Sequence, residues 1–316
     1  MIDAMSGFSI PADLPYFETL LAAVRHFGGP DAVVVAQEAA PGGCINNGFS
    51  VTLRSGQCCF VKMNRRASLD MFRQEALGLA LLAKVAKDPT VNLVVPQALS
   101  HGVEGEHSFL VLEYLPVVTA TPRYWEALGH GLALLHEKAT NPIFGFEADN
   151  YIGITKQRNS WSDKWPDFFA RHRLRPQIDL AKRQGLASDA LVAAVESIIK
   201  RVENLIPHIA RASLVHGDLW SGNVLALQGT GGPGTERAGL IDPACYYGDS
   251  RVDLAMTELF GGFPPNFHAA YREVRDPGNE YRQLRDLYNL YHLLNHLNIM
   301  GAEYAGECLR IAQQYA

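Results

Sequence analysis

Two short runs carry most of the chemistry that this chain could perform. His216-Gly217-Asp218-Leu219-Trp220-Ser221-Gly222-Asn223 places a carboxylate and then an amide, and Leu240-Ile241-Asp242-Pro243-Ala244 adds a second carboxylate at the end of an apolar stretch. Phosphoryl transfer to a hydroxyl needs one group that orients the hydroxyl and accepts its proton. It also needs hard oxygen ligands that hold Mg²⁺ against nucleotide phosphates. Asp218 suits the first task, and Asn223 with Asp242 suits the second. Each motif alone is weak, since His-Gly-Asp is a common turn and Asp-Pro-Ala can simply open a loop. Their order and their upstream partners give them weight.

The same order of Asp, Asn and a later Asp occurs in the protein-kinase catalytic loop and its metal-binding segment. In such a site a strand lysine contacts the phosphates and a helix glutamate holds it. Lys62 follows Phe60-Val61 at the end of an expected strand, and Glu75 lies on the expected next helix. Taken alone they read as a surface lysine and a solvated glutamate; the downstream motifs favour the functional pair. Gly42-Gly43-Cys44-Ile45-Asn46-Asn47-Gly48 lies where a phosphate-covering loop belongs, although it lacks a full G-x-G-x-x-G pattern. Glycine there allows close backbone approach to phosphate, but many hairpins share this composition. Leu112-Glu113-Tyr114-Leu115 is the expected link to the C-terminal part, where Glu113 and Leu115 offer main-chain groups to an adenine. His136 reads as a core histidine that supports the catalytic loop.

These residues need elements to position them. The expected order is a helix over 14–27 ending at Gly28-Gly29-Pro30, and strands at Val33–Val35, Phe49–Leu53 and Cys58–Lys62, the last two a hairpin. A helix of about fifteen residues from Asp70 follows by apolar spacing, then strands at Val94–Pro96 and Phe109–Tyr114. After Pro116 the pattern turns helical, over 122–138, 164–183, 188–208, 250–259 and 280–313. Strands are expected at Asn223–Leu227 and Ala238–Ile241, joined by a Gly-rich connection that reads as a hairpin tip. The expected fold class is α+β and two-lobed, protein-kinase-like. It has an N-terminal antiparallel sheet lobe with one main helix over 1–116, for nucleotide. A larger, mostly helical catalytic and substrate lobe spans 117–316.

Composition narrows the partners. With 316 residues, 47% of them hydrophobic, the chain can build two lobes. A net charge of −5 argues against a broad nucleic-acid surface. Five cysteines, at irregular spacing, form neither a disulfide framework nor a zinc pattern. No signal peptide or spanning segment is evident, so the cytoplasm is the expected compartment and no membrane partner is expected.

The chain also resembles the fructosamine and ketosamine kinases, within the aminoglycoside-phosphotransferase-like group, over nearly its whole length. The resemblance rests on Gly42–Asn46, Phe144-Gly145-Phe146, Asp149-Asn150-Tyr151-Ile152-Gly153, Trp161-Ser162-Asp163-Lys164-Trp165, His216–Asn223 and Asp242-Pro243-Ala244-Cys245-Tyr246-Tyr247-Gly248-Asp249. It departs from the family's usual Thr-Pro-Gln at Thr155-Lys156-Gln157. The resemblance implies ATP- and Mg²⁺-dependent phosphorylation of the 3-hydroxyl of a ketosamine (a ribulosamine, erythrulosamine or fructosamine). The phosphate then leaves as the product decomposes and frees the amine, a deglycation. The acceptor would be a small ketoamine or a glycated protein side chain, and the enzyme a monomer or homodimer. On this reading Asp218 is catalytic and Lys62, Glu75, Gly42, Gly43, Glu113 and Leu115 bind nucleotide. Asn223 and Asp242 bind metal, while Trp220, Tyr151, Gln157, Asn159 and Trp161 are candidates for the substrate rim. Cys44 is either a redox-sensitive thiol or an inert one. Alternatives are a kinase for another small hydroxyl compound, such as an aminoglycoside or choline, or a nucleotide-binding pseudokinase.

Overall fold

The computed structural model describes residues 14–40, 47–65, 69–209, 211–229 and 236–316. The chain divides into two compact units, Met1–Leu128 with Gly222–Pro243, and Gly129–Ser221 with Ala244–Ala316. The architecture is α+β.

The first unit begins with β1 (Tyr16–Phe17) and α1 (Leu20–Gly28), whose first turn is capped by the Thr19 hydroxyl accepting from the Ala22 N–H. Then come β2 (Val34–Ala39), β3 (Asn47–Leu53), β4 (Cys58–Asn64), α2 (Leu69–Ala86), β5 (Leu93–Val94), β6 (Ala98–Glu104) and β7 (His107–Glu113). Six of these strands form one sheet in the order β1-β6-β7-β4-β3-β2, antiparallel except for β1 on β6. Val51, Leu53, Cys59, Val61, Phe109 and Val111 point to one face and pack under Ala23 and Val24 of α1. The alternation of buried positions in β3 and β4 is what a half-covered sheet demands.

β6 was not expected, and its composition explains why. Ser100 and His101 are buried polar residues, and Gly102 breaks the apolar pattern. A side chain at Gly102 would put its Cβ 1.9 Å from the Phe17 carbonyl oxygen. Glycine is required there for β1 to dock.

The chain enters the second unit through α3 (Pro122–Lys138), continues as β8 (Thr140–Asn141), β9 (Asn150–Ile152), β10 (Thr155–Gln157), α4 (Trp165–Phe168), α5 (Arg175–Arg183), α6 (Asp189–Leu205) and β11 (Ala212–Val215), and returns to the first unit as β12 (Val224–Leu227) and β13 (Arg237–Leu240). It closes with β14 (Tyr246–Gly248), α7 (Arg251–Leu259), α8 (Pro265–Val274), α9 (Tyr281–Met300) and α10 (Ala305–Tyr315). Two expected helices are each divided. The 164–183 segment carries a π-helical turn over Phe169–Leu174. Pro176 cannot donate an N–H back along the helix, and the Arg173 guanidinium instead donates to the His172 carbonyl at 3.0 Å. The 280–313 segment breaks at Gly301, whose φ of 115° only glycine adopts readily. α8, which was not expected, starts at consecutive prolines, with Pro265 in its first turn.

Candidate active site

In the first unit, Lys62 lies within β4, opposite Leu110 of β7. Its ammonium meets two carboxylates. Nζ is 2.7 Å from Glu75 Oε1 on α2, and it also donates to Asp242 Oδ1. Burial alone would weaken the ammonium, but attraction to Asp242 and Glu75 outweighs it and holds the lysine above its usual pKa. The Glu75 carboxyl is raised, because burial and the nearby Asp242 charge outweigh the pull of Lys62.

Asn223 and Asp242 are brought together by strand pairing. Val224 on β12 pairs with Leu240 on β13, so the residues flanking these ends are neighbours. The Ile241 N–H donates to the Asn223 carbonyl at 3.1 Å. Asp242 then takes a left-handed backbone conformation, φ 56°, which is costly for a non-glycine residue and turns its side chain out of the strand direction. Strain of this kind is common at functional positions.

In the second unit, β11 ends at Val215 and the chain turns sharply through Gly217, φ 82°. A Cβ at Gly217 would lie 2.2 Å from the Ala244 carbonyl oxygen. The corner is held by the buried carboxylate of Asp253 on α7. It accepts the His216 N–H at 2.7 Å and the Gly217 N–H at 2.9 Å. His136 Nε2 lies 3.1 Å from the same carboxylate, and His136 Nδ1 lies 2.9 Å from the Tyr271 hydroxyl. Burial lowers the His136 pKa against the pull of Asp253. Although burial works against the charge, these hydrogen bonds and neighbouring His136 and His216 hold Asp253 below its usual carboxylate range. Asp218 leaves this corner half-buried, as does Trp220.

The other four candidates for the substrate rim fall into two pairs. Tyr151 is half-buried and Trp161 is 40% exposed, stacked against Tyr247. Gln157 and Asn159 are 2% and 0% exposed, with their amides bonded inside the unit. Glu113 closes β7 with its N–H on the Gln97 carbonyl at 2.8 Å, and half-buried Leu115 follows beyond the strand. Gly42, Gly43 and Cys44 lie outside the described residues, as does most of the Gly-rich connection before β13. The four described cysteines are free thiols. Among the described residues no helix is long and apolar enough to cross a membrane.

Sequence reading did not single out Asp253, Asn150, Arg173 or Tyr291 for a role. Asn150 and Asp253 lie in or just beyond the runs that carry the family resemblance, but nothing local distinguishes a buried amide or carboxylate that acts on a distant loop.

The fructosamine kinase family model matches residues 18–316. The "Probable ketoamine kinase" of a Synechocystis species is 39% identical over 300 residues, which is 94% of this chain and 96% of that one. The chloroplastic protein-ribulosamine 3-kinase of Arabidopsis thaliana is 35% identical over 276 residues, 87% of this chain and 80% of its own length. The crystal structure of a "putative fructosamine-3-kinase" from Haemophilus somnus superposes with a TM-score of 0.79 at 28% identity, covering 93% of this chain and 95% of that one.

Proposed function

This chain belongs to the fructosamine kinase family, and from that premise we propose that it transfers the γ-phosphoryl group of ATP to the 3-hydroxyl of a ketosamine. The observation that carries the proposal is the Lys62–Glu75–Asp242 ion cluster in a member of this family. Its lysine is buried, charged and held by two carboxylates.

In the proposed reaction Asp218 orients the acceptor hydroxyl and takes its proton as the oxygen attacks the γ-phosphorus and the bond to the β-phosphate oxygen breaks. Lys62, held by Glu75, offers positive charge to the nucleotide phosphates. The Asn223 amide and the Asp242 carboxylate would supply hard-oxygen donors of the kind Mg²⁺ prefers. Bound there, the metal would offset phosphate charge. The main-chain groups of Glu113 and Leu115 are assigned to the adenine, and Gly42 and Gly43 to the phosphates. Trp220 presents a broad ring beside the base, suited to an apolar sugar face.

The product carries phosphate on the carbon next to the carbonyl carbon. It therefore loses phosphate readily and releases the amine without further help from the protein. The family match over residues 18–316 favours a ketosamine over an aminoglycoside or choline as acceptor. The name of the Arabidopsis relative makes protein-bound ribulosamine the first acceptor to examine.

The test is turnover with ATP and Mg²⁺ on ribulosyl-, erythrulosyl- and fructosyl-lysine, with choline and an aminoglycoside alongside. A phosphate mass gain confined to the ketoamines is expected. Gain on choline or the aminoglycoside alone would overturn the acceptor assignment.

A further inference from the structure

Behind the Asp218 corner, five buried side chains of the second unit form one hydrogen-bonded set. Gln157 on β10 and Asn150 on β9 are directly opposed. Gln157 Nε2 donates to Asn150 Oδ1 at 2.7 Å and to the Ala244 carbonyl at 3.1 Å. Asn150 Nδ2 donates to the Cys245 carbonyl at 2.8 Å. The Tyr291 hydroxyl on α9 donates to Gln157 Oε1 at 2.6 Å. Asn159 Nδ2 donates to the same Asn150 oxygen at 2.9 Å, and Arg173 Nη2 donates to Asn159 Oδ1 at 2.8 Å. The Arg173 guanidinium lies 3.9 Å from the ring centroid of Tyr246, a contact that helps keep this cation in place.

Ala244 is where the set meets the corner. Its N–H donates to the His216 carbonyl at 2.8 Å, and its own carbonyl abuts Gly217, where glycine alone leaves room. Gln157 grips that carbonyl from within the network. A primary amide has two N–H donors, and Gln157 uses both inside the protein. It is also 2% exposed. It has no donor left for an acceptor molecule. Tyr291, which Gln157 orients, lies within electrostatic range of the Asp218 carboxylate.

We propose that Gln157 is a positioning residue for Asp218, acting through the Ala244 carbonyl and the Tyr291 hydroxyl, and that it does not contact substrate. The inference rests on Asp218 being the general base. Apart from the Arg173 guanidinium, the set that surrounds Gln157 is neutral, and Gln157 itself acts on the corner through geometry. Its place on the β9–β10 hairpin also ties that hairpin to the reacting corner.

The experiment is steady-state kinetics on ribulosyl-lysine with Gln157→Leu, Gln157→Glu and Tyr291→Phe, each made in the wild-type and Asp218→Asn backgrounds. In wild type, Gln157→Leu is expected to lower kcat about 10- to 100-fold, as small misplacements of a reacting group do, with KM for both substrates within about twofold. Gln157→Glu keeps the acceptor for Tyr291 but loses the donor to Ala244, and should be equally impaired. In the Asp218→Asn background the same changes should have almost no further effect, because residues acting as a unit are non-additive. Should Gln157→Leu fail to fold, Tyr291→Phe, which removes one hydroxyl, carries the same test. A raised ketoamine KM at unchanged kcat, or a full additional loss in the Asp218→Asn background, would overturn the positioning role. Wild-type turnover by Asp218→Asn itself would instead overturn the reading of Asp218 as base.

Discussion

The two units hold their candidate reactive groups by different physical means. In the first, Lys62, Glu75 and Asp242 are held mainly by charge, one ammonium between two carboxylates. In the second, Asp218 sits at the end of a corner held by main-chain hydrogen bonds to Asp253 and by contact with Ala244. An ion cluster is strong but costly to take out of water, and losing one partner strands the others. A corner fixed through backbone N–H groups sets the path of the chain that carries the Asp218 carboxylate. The first arrangement suits holding a polyanion, the second suits moving a proton.

The comparison can be broken most severely at Asp218. Asp218→Asn should lower ketoamine turnover about 10²–10⁴-fold, the usual effect of losing a positioned base, while the thermal midpoint stays near wild type. Turnover and a melting curve on one preparation decide it. Lys62→Met should strike stability as well as turnover. It leaves Glu75 and Asp242 facing each other, and losing one member of a buried pair costs about 3–5 kcal/mol. Urea unfolding should show that loss, and Lys62→Met with Glu75→Gln should recover part of it. No recovery would mean that the cluster is not coupled by charge.

A smaller effect is expected at the support of the corner. Asp253→Asn has a single acceptor oxygen where two serve the His216 and Gly217 N–H groups, so at least one buried donor loses its partner. That costs about 1–3 kcal/mol, and turnover should fall with it. A variant with normal turnover and lower stability would show that Asp253 supports the fold without placing the base.

The smallest effect, counted over a single pH unit, concerns titration. Burial, with His296 nearby, lowers the His292 pKa from 6.5 to about 3. The unfolded chain therefore takes up a proton near pH 6.5 that the native state refuses until about pH 3. Stability from this group is complete above that window and declines as pH falls through it, by at most about 1.4 kcal/mol per pH unit. His292→Asn should flatten the acid limb of a stability–pH curve by up to that slope. An unchanged limb would show that the ring is not held neutral.

How much of this could be read from the chain depends on the range of each interaction. Asp218, Asn223 and Asp242 were visible because a turn and a strand pair fix them locally, and the β12–β13 register then follows. Lys62 and Glu75 were visible as a strand followed by a helix. Gln157 and Asn159 appeared as rim candidates by their position among the runs that carry the family resemblance. Their burial depends on Asn150, Ala244, Arg173 and Tyr291, which are distant in sequence. β6 escaped because Ser100, His101 and Gly102 interrupt the apolar alternation that was sought. The break in the 164–183 helix is intelligible from Pro176 once Arg173 is seen to bond the His172 carbonyl.

The most direct test of the central claim is the position of the transferred phosphate. Ribulosyl-lysine incubated with the protein, ATP and Mg²⁺ should give a product whose phosphorus couples to the proton on C3 in a ³¹P–¹H NMR spectrum. Free lysine and inorganic phosphate should then appear together, and Asp218→Asn should yield none of these signals above its residual rate. Phosphate coupled to another carbon, or a stable product that retains its amine, would contradict the account.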